Sequence, residues 1–308
     1  MRSPSITRRV LIAVIILITE FAVLEAGLRV YGVFEGTTTF SSLFMDDPEI
    51  GPRLRPNARI RYTTAEFTAD IAINQQGVRD EEPIGPKPAG ERRIVVLGDS
   101  LVLSVQVAFD ETFCERLERR LNESGAAGHW RVINAGVQGY GPVQEWLLFD
   151  KVAAAFEPDI VLVVPFVAND ATDAADAVAS LEAGRVIKTV QPSVQRIRRI
   201  VRSSVVLQSV RVRWDQLRSH LTMGTPERPL ASYLIDPPPV ITQGLDVSRR
   251  AIEKIAGRAS GLGARTAIAL MPARFQTNDP DYQPLEVTVR HPRGVLDRDS
   301  ASRRFHDA

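Results

Sequence analysis

Apolar positions along the chain fall into three patterns, each predicting a different kind of structure. Near the start, Val10–Thr19 is apolar up to its terminal threonine, Glu20 interrupts, Phe21–Leu24 is apolar again and Glu25 follows. Arg2, Arg8 and Arg9 precede the run. A basic flank before such a run predicts a secretion signal with its flank held in the cytoplasm. The small-x-small pattern of a cleavage site is poor here, and Glu20 falls late, toward the far interface of an anchor helix. The expectation is an uncleaved anchor; a cleaved signal peptide and a buried helix of a soluble protein are the alternatives.

The second pattern is short alternation. Ile60 and Tyr62 on one strand, with Phe67, Ile71 and Ile73 on the return, predict a β-hairpin over Arg55–Ala72. Asn74-Gln75-Gln76-Gly77 marks a turn, and Pro83, Pro86 and Pro88 with Gly85 and Gly90 make a stiff connector. Thr37–Met45, polar and small, reads as a linker, so Asp46–Gly90 is a small β-rich preface.

From Arg92 the third pattern takes over, in which continuous apolar runs alternate with helical periodicity. Strands are expected at Ile94–Leu97, Arg131–Ile133, Asp159–Val167 and Thr266–Met271. Helices are expected at Glu111–Asn122 with Asp110 as its cap, at Val143–Phe156, and at Val247–Ala259 stopped by Gly261 and Gly263. Strand and helix in alternation with short loops predict a doubly wound parallel sheet, an α/β fold. The long excursion Ala171–Pro239 contains Arg196–His220, where arginines 196, 198, 199, 202, 211, 213 and 218 interleave with apolar residues including Val210 and Trp214. Such a segment can lie on a membrane surface; a pair of helices over the sheet edge is the expected reading. The chain thus divides into an anchor and flanks over 1–36, linker and preface over 37–90, and the α/β domain over 91–308.

Composition narrows the picture. A net charge of +1, from 38 basic and 37 acidic residues, gives no electrostatic footprint for nucleic acid. The single cysteine, Cys114, excludes an intrachain disulfide and sits on the helix of Phe113, Leu117 and Leu121 as a small residue on or beside its packed face. No Cys/His spacing points to a metal, and no cofactor is expected.

Ligands of open α/β sheets bind beyond the carboxyl ends of the strands, and three polar groups arrive there. Gly98-Asp99-Ser100-Leu101 follows the first strand, and the Ser100 backbone N–H is placed to face an oxyanion. Asn134-Ala135-Gly136-Val137-Gln138-Gly139-Tyr140-Gly141 follows the second, its glycines allowing close approach of a ligand. Val167-Ala168-Asn169-Asp170 follows the third. Alone, each is as readily a cap or a turn.

In this order, GDSL, N-A-G-x-x-G and N-D, each after a strand, resemble blocks I, II and III of the SGNH/GDSL hydrolases, a family with a flavodoxin-like fold. The preface, with Pro56-Asn57 and Asn74-x-x-Gly77-x-Arg79-Asp80, is similar to that of bacterial members. The resemblance, over roughly Asp46–Met271, implies a serine esterase with Ser100 as nucleophile. The Ser100 and Gly139 N–H groups and the Asn169 amide would form its oxyanion hole. Asp99 and Asp170 would support local geometry. The G-x-S-x-G elbow of a neighbouring class is absent.

Two departures stand out. Block III commonly has glycine where this chain has Val167. The family's D-x-x-H, carrying the general base and its aspartate, is not found: none of His129, His220, His291 and His306 has aspartate three positions before it. The expectation is that the last strand and closing helix are missing, leaving Thr266–Met271 an unpaired edge, the 308-residue form poorly stable and its turnover slight. The functional expectation is a membrane-anchored, extracytoplasmic esterase acting on small acyl esters such as O-acetyl groups of a glycan or lipid. An acyltransferase or a non-catalytic binding protein of the same fold is the alternative.

Overall fold

A computed structural model describes residues 6–30, 40–64, 66–125, 128–175, 177–186, 204, 206, 207, 210, 214, 231–278 and 297–308. Two compact units divide the chain, Met1–Ser41 with Thr189–Met223 and Ser42–Lys188 with Gly224–Ala308.

The first unit is built on helix α1, Ile6–Val30. Its apolar side chains are left outside: Ile15, Leu17, Ile18, Val23 and Leu24 are all more than half exposed. Among the described residues no helix is long and apolar enough to cross a membrane. Late in α1, the Glu25 carboxylate accepts from the Ser204 hydroxyl at 2.9 Å and from the Val206 N–H at 3.0 Å. The arginine-rich segment Arg196–His220, expected as a pair of helices over the sheet edge, falls in the same unit by sequence range, Thr189–Met223. Most of it lies outside the described residues.

The second unit begins with two ribbons. Strands β1 (Phe44–Asp47) and β2 (Gly51–Leu54) pair antiparallel where the sequence reads partly as linker. Strands β3 (Arg59–Thr63) and β4 (Thr68–Ala72) form the expected hairpin, with Tyr62 edge-on to Phe67. Arg79 then bridges to Asn134 and ties this preface to the main sheet.

That sheet comprises β5 (Glu91–Gly98), β6 (His129–Gly136), β7 (Ile160–Val164) and β8 (Arg265–Ile268), all parallel, in the order β6-β5-β7-β8. The order is that of a doubly wound fold. Period-2 alternation sends Ile94, Val96, Val132 and Leu162 to one face, where α3 (Phe113–Glu123) packs Cys114, Leu117 and Leu121 on them. The opposite face carries α4 (Pro142–Lys151) and α7 (Pro239–Gly261), which also pack against each other.

Several boundaries differ from expectation for local reasons. Thr112, not Asp110, caps α3, its hydroxyl accepting from Glu115 N–H, while Asp110 lies in a preceding 3-10 turn. Helix α7 starts at Pro239, eight residues early, because a proline with no N–H to lose suits a first helical turn. Asn134, Ala135 and Gly136 still belong to β6. Among the described residues β8 pairs only with β7, and Ile268 is 54 % exposed.

Candidate active site

Strands β5, β6 and β7 end level, since Gly98 pairs with both Gly136 and Val164. The two glycines are forced by packing. A Cβ on Gly98 would lie 2.4 Å from Val102 Cγ2, and one on Gly136 would lie 2.5 Å from Leu103 N. The loops leaving β5 and β6 therefore press together, and Val137 N–H donates to Gly98 O at 3.0 Å.

Short helix α2, Ser100–Leu103, opens on the candidate nucleophile. Asp99 caps it, accepting from Leu101 N–H at 2.8 Å, and burial pushes its carboxyl pKa up. Ser100 is partly buried. Neither its hydroxyl nor its N–H is bonded to another described residue. In the next loop Gly139 is exposed with φ +73°, a left-handed conformation that suits glycine, and its N–H is likewise unclaimed. Asn134 is structural: its amide donates to Val102 O at 2.8 Å and its oxygen accepts from Gly136 N–H at 3.0 Å.

The third loop, after β7, leads into α5, Asp170–Ala175. Val167, standing where glycine is common, is fully buried against Ala168, Tyr233, Ala273 and Ala301. It is not among the residues of positive φ, so valine fits without strain. The Asn169 side-chain NH2 donates to Asp173 Oδ2 at 2.8 Å, and the Asn169 backbone carbonyl accepts from Thr172 Oγ1 and Asp173 N–H. Asp173 thus fixes the amide while one of its two N–H bonds is left over. Loop two reaches loop three at Gly141, whose added Cβ would meet Asp173 Cβ at 3.5 Å. The structure therefore brings the three loops of Ser100, Gly139 and Asn169 together.

Three features here have no simple signal in the sequence. Asp173 is one. The second is a set of buried carboxyls: Glu145 on α4 is 1 % exposed and Asp170 0 %. Among the described residues neither Glu145 oxygen has a hydrogen-bond partner, and Asp170 has one oxygen on Phe166 N–H and one unpaired. Burial, then the neighbouring Asp99, pushes the Glu145 pKa up to about 8. Burial, then Glu145 and Asp99, raises Asp170 well above the usual carboxylate range. The third is Arg79, 1 % exposed, whose guanidinium donates to Leu103 O at 2.6 Å, to Ser104 O and to Val107 O at 2.7 Å. It closes the carbonyl end of the turn that Ser100 begins, and burial lowers its pKa to about 10. Arg79→Met, which strands those carbonyls, should cost about 2 kcal/mol or more of stability in urea unfolding; an unchanged midpoint would show the clamp to be idle.

Of the histidines, His129 opens β6, seven residues and about 23 Å from its Gly136 end, so it sits at the opposite edge of the sheet. His306 is largely exposed with Nδ1 3.2 Å from Asp307 Oδ1. His220 and His291 lie outside the described residues. A short helix at Ser300–Asp307 places Phe305 beside Val167 and Ala168. Two surface hollows, one on the β3–β4 ribbon and one at the far sheet edge around Arg92, Trp130 and Arg265, include none of Ser100, Gly139 and Asn169.

No protein-family model matches the chain, and no curated protein does. Among solved structures it is similar to TesA, with 11 % identity and a TM-score of 0.33 over 70 % of this chain and 95 % of that one. It is also similar to AlinE4, an SGNH-hydrolase family esterase, with 17 % identity and a TM-score of 0.27 over 66 % and 95 %. A third is the acetyl xylan esterase AlAXEase, with 10 % identity and a TM-score of 0.29 over 68 % and 93 %. Likenesses this distant carry no weight for function, which rests on the site itself.

Proposed function

We propose that the chain is a serine ester hydrolase of the SGNH kind with Ser100 as its nucleophile. One observation carries the reading: a serine hydroxyl with no bond to another described residue opens α2, in one of three adjacent loops whose others carry the unclaimed Gly139 N–H and the tethered Asn169 amide. Ser100 Oγ attacks the ester carbonyl carbon, its proton passes to a base, and the carbonyl oxygen becomes an oxyanion. The three donors stabilise that charge. Collapse expels the alcohol and leaves an acyl-serine, which water then hydrolyses. The substrates are small acyl esters, O-acetyl groups of a glycan or lipid among them. With Arg8 and Arg9 ahead of the exposed apolar side chains of α1, the N-terminal helix serves as a membrane anchor that leaves the α/β unit on the extracytoplasmic side.

Labelling with a fluorophosphonate tests the reading. It is expected to be slow, to be accelerated by added imidazole acting as the base, and to vanish in Ser100→Ala. Asn169→Ala should lower p-nitrophenyl acetate turnover by roughly 10²-fold, the usual loss of one oxyanion donor. No labelling even with imidazole, or labelling that survives Ser100→Ala, would favour a non-catalytic binding protein.

A further inference from the structure

Each of the three loops that meet at the candidate site is tied to a buried carboxyl. Asp99 adjoins Ser100, and Asp170 adjoins Asn169. The Glu145 N–H donates to Gly141 O at 3.1 Å, two residues past Gly139. Asp99 is 4 % exposed and the other two less. Asp99 and Asp170 each accept one backbone N–H, from Leu101 and Phe166. Three further oxygens, both of Glu145 and one of Asp170, have no hydrogen-bond partner among the described residues.

The charges these carboxyls meet are all of their own sign. Glu145 faces Asp99, Asp170 faces Glu145, Asp99 and Asp173, and Asp99 faces Asp173. The other elements packed on α4 bring no compensating cation. On α7, Arg249 and Arg250 are held by Asp246, Lys254 lies over Trp146 and Arg258 is on Asp150. Helix α6, Val178–Ala183, brings Glu182, which is exposed. The arginines of β5 stand at its start, Arg92 over Trp130 and Arg93 on Glu91. Among the described residues no group of His, Cys, Asp and Glu is placed to hold a metal ion. A carboxylate buried with neither a cation nor a donor is very costly, so the group keeps its proton instead.

We propose that Glu145 is a positioning residue for the reaction at Ser100, acting through its charge. Uncharged, it lets the first turn of α4 lie close to Asp99 and Asp170, which holds the Gly139 loop against those of Ser100 and Asn169. Once Glu145 gives its proton to solvent, an unpaired charge stands beside Asp99 and Asp170, water is drawn in and the loops part. A displacement of about 1 Å at the reacting groups costs roughly 10²-fold in rate. This rests on the esterase reading of Ser100 and adds to it an alkaline limit set by a group that touches no substrate.

The test follows fluorophosphonate labelling of Ser100 in the full chain between about pH 7 and 10, at a fixed concentration of free-base imidazole. The chains compared are the native one, Glu145→Gln, Asn169→Ala and the double variant. Native labelling is expected to fall by roughly 10²-fold as pH rises through about 8, with near-ultraviolet circular dichroism unchanged. Glu145→Gln, uncharged at every pH, should hold its rate. The Asn169→Ala loss should shrink at high pH in the native background and persist beside Glu145→Gln, because only loops in register give the amide an oxyanion to bind. Superimposed native and Glu145→Gln profiles overturn the positioning role and leave Ser100 standing as nucleophile. Absence of Ser100-dependent labelling at every pH overturns both. A fall that accompanies loss of the dichroism signal assigns the effect to unfolding and overturns the role. Should Glu145→Gln not fold, the native chain decides: the infrared band of a protonated buried carboxyl must vanish over the pH range in which labelling falls. A band lost at constant rate, or a rate lost with the band intact, overturns the role.

Discussion

Replacing Glu145 by glutamine should stabilise the protein at pH 8 and above by on the order of 4 kcal/mol, and by almost nothing at pH 4. In the folded protein this carboxyl keeps its proton up to about pH 8, against 4.5 for an unperturbed glutamic acid. Between those values the unfolded chain has released the proton and the folded one has not. Stability therefore falls as pH rises through the window and levels off above it. Neither oxygen has a partner among the described residues to lose, and glutamine has the same shape without a charge to bury. Relief of Asp170, raised in part by Glu145, adds to the gain. Urea unfolding at pH 4, 6 and 8 measures it: native and variant curves should diverge steadily, and parallel curves would falsify the assignment of a buried proton to Glu145.

Gly244→Ala should act in the opposite direction. On propensity alone, alanine for glycine inside a helix is worth about 1 kcal/mol of stabilisation. Here the added Cβ would lie 1.5 Å from Ala171 O and 2.4 Å from Ala171 C. Those are backbone atoms of α5, the helix that Asn169 and Asp170 lead into, and they cannot swing aside. Helix α7 must shift bodily, breaking the contacts of Ile241 and Leu245 with Ala171 and Ala231. Overpacking of this kind costs about 3 kcal/mol or more. The control is Gly257→Ala on the same helix, where nothing lies within 4 Å; it should gain up to about 1 kcal/mol. A thermal melt in which both variants rise would mean that the α5–α7 approach is looser than described.

The sheet could be read from the sequence because buried parallel strands are continuous apolar runs, and Ile94–Leu97 and Asp159–Val167 have few competing readings. The three loops followed from the strand ends, since Gly98, Gly136 and Val164 stand level in the register. What stayed hidden depends on partners distant in sequence. The β1–β2 ribbon is too polar to announce itself. Glu145 sits in a helix whose buried face could not be chosen from periodicity alone. Arg79 stands in a motif of the preface, but its role needs the carbonyls of Leu103, Ser104 and Val107, more than twenty residues on, to be brought to it. Asp173 is only four residues from Asn169, but their bond depends on α5 starting at Asp170. Pro239, where the excursion is bounded, opens α7 eight residues before the expected Val247.

The pairing of Glu25 with Ser204 and Val206 also sets a clock. Its partners are separated by 179 residues, and a ribosome adding about 5–20 residues per second takes roughly 9–36 s to cover that distance. Throughout that interval α1 has emerged while Ser204 and Val206 are still to be made. The first unit thus closes around an element made first, with Ser42 to Lys188 already made and Gly224–Ala308 of the second unit still to come.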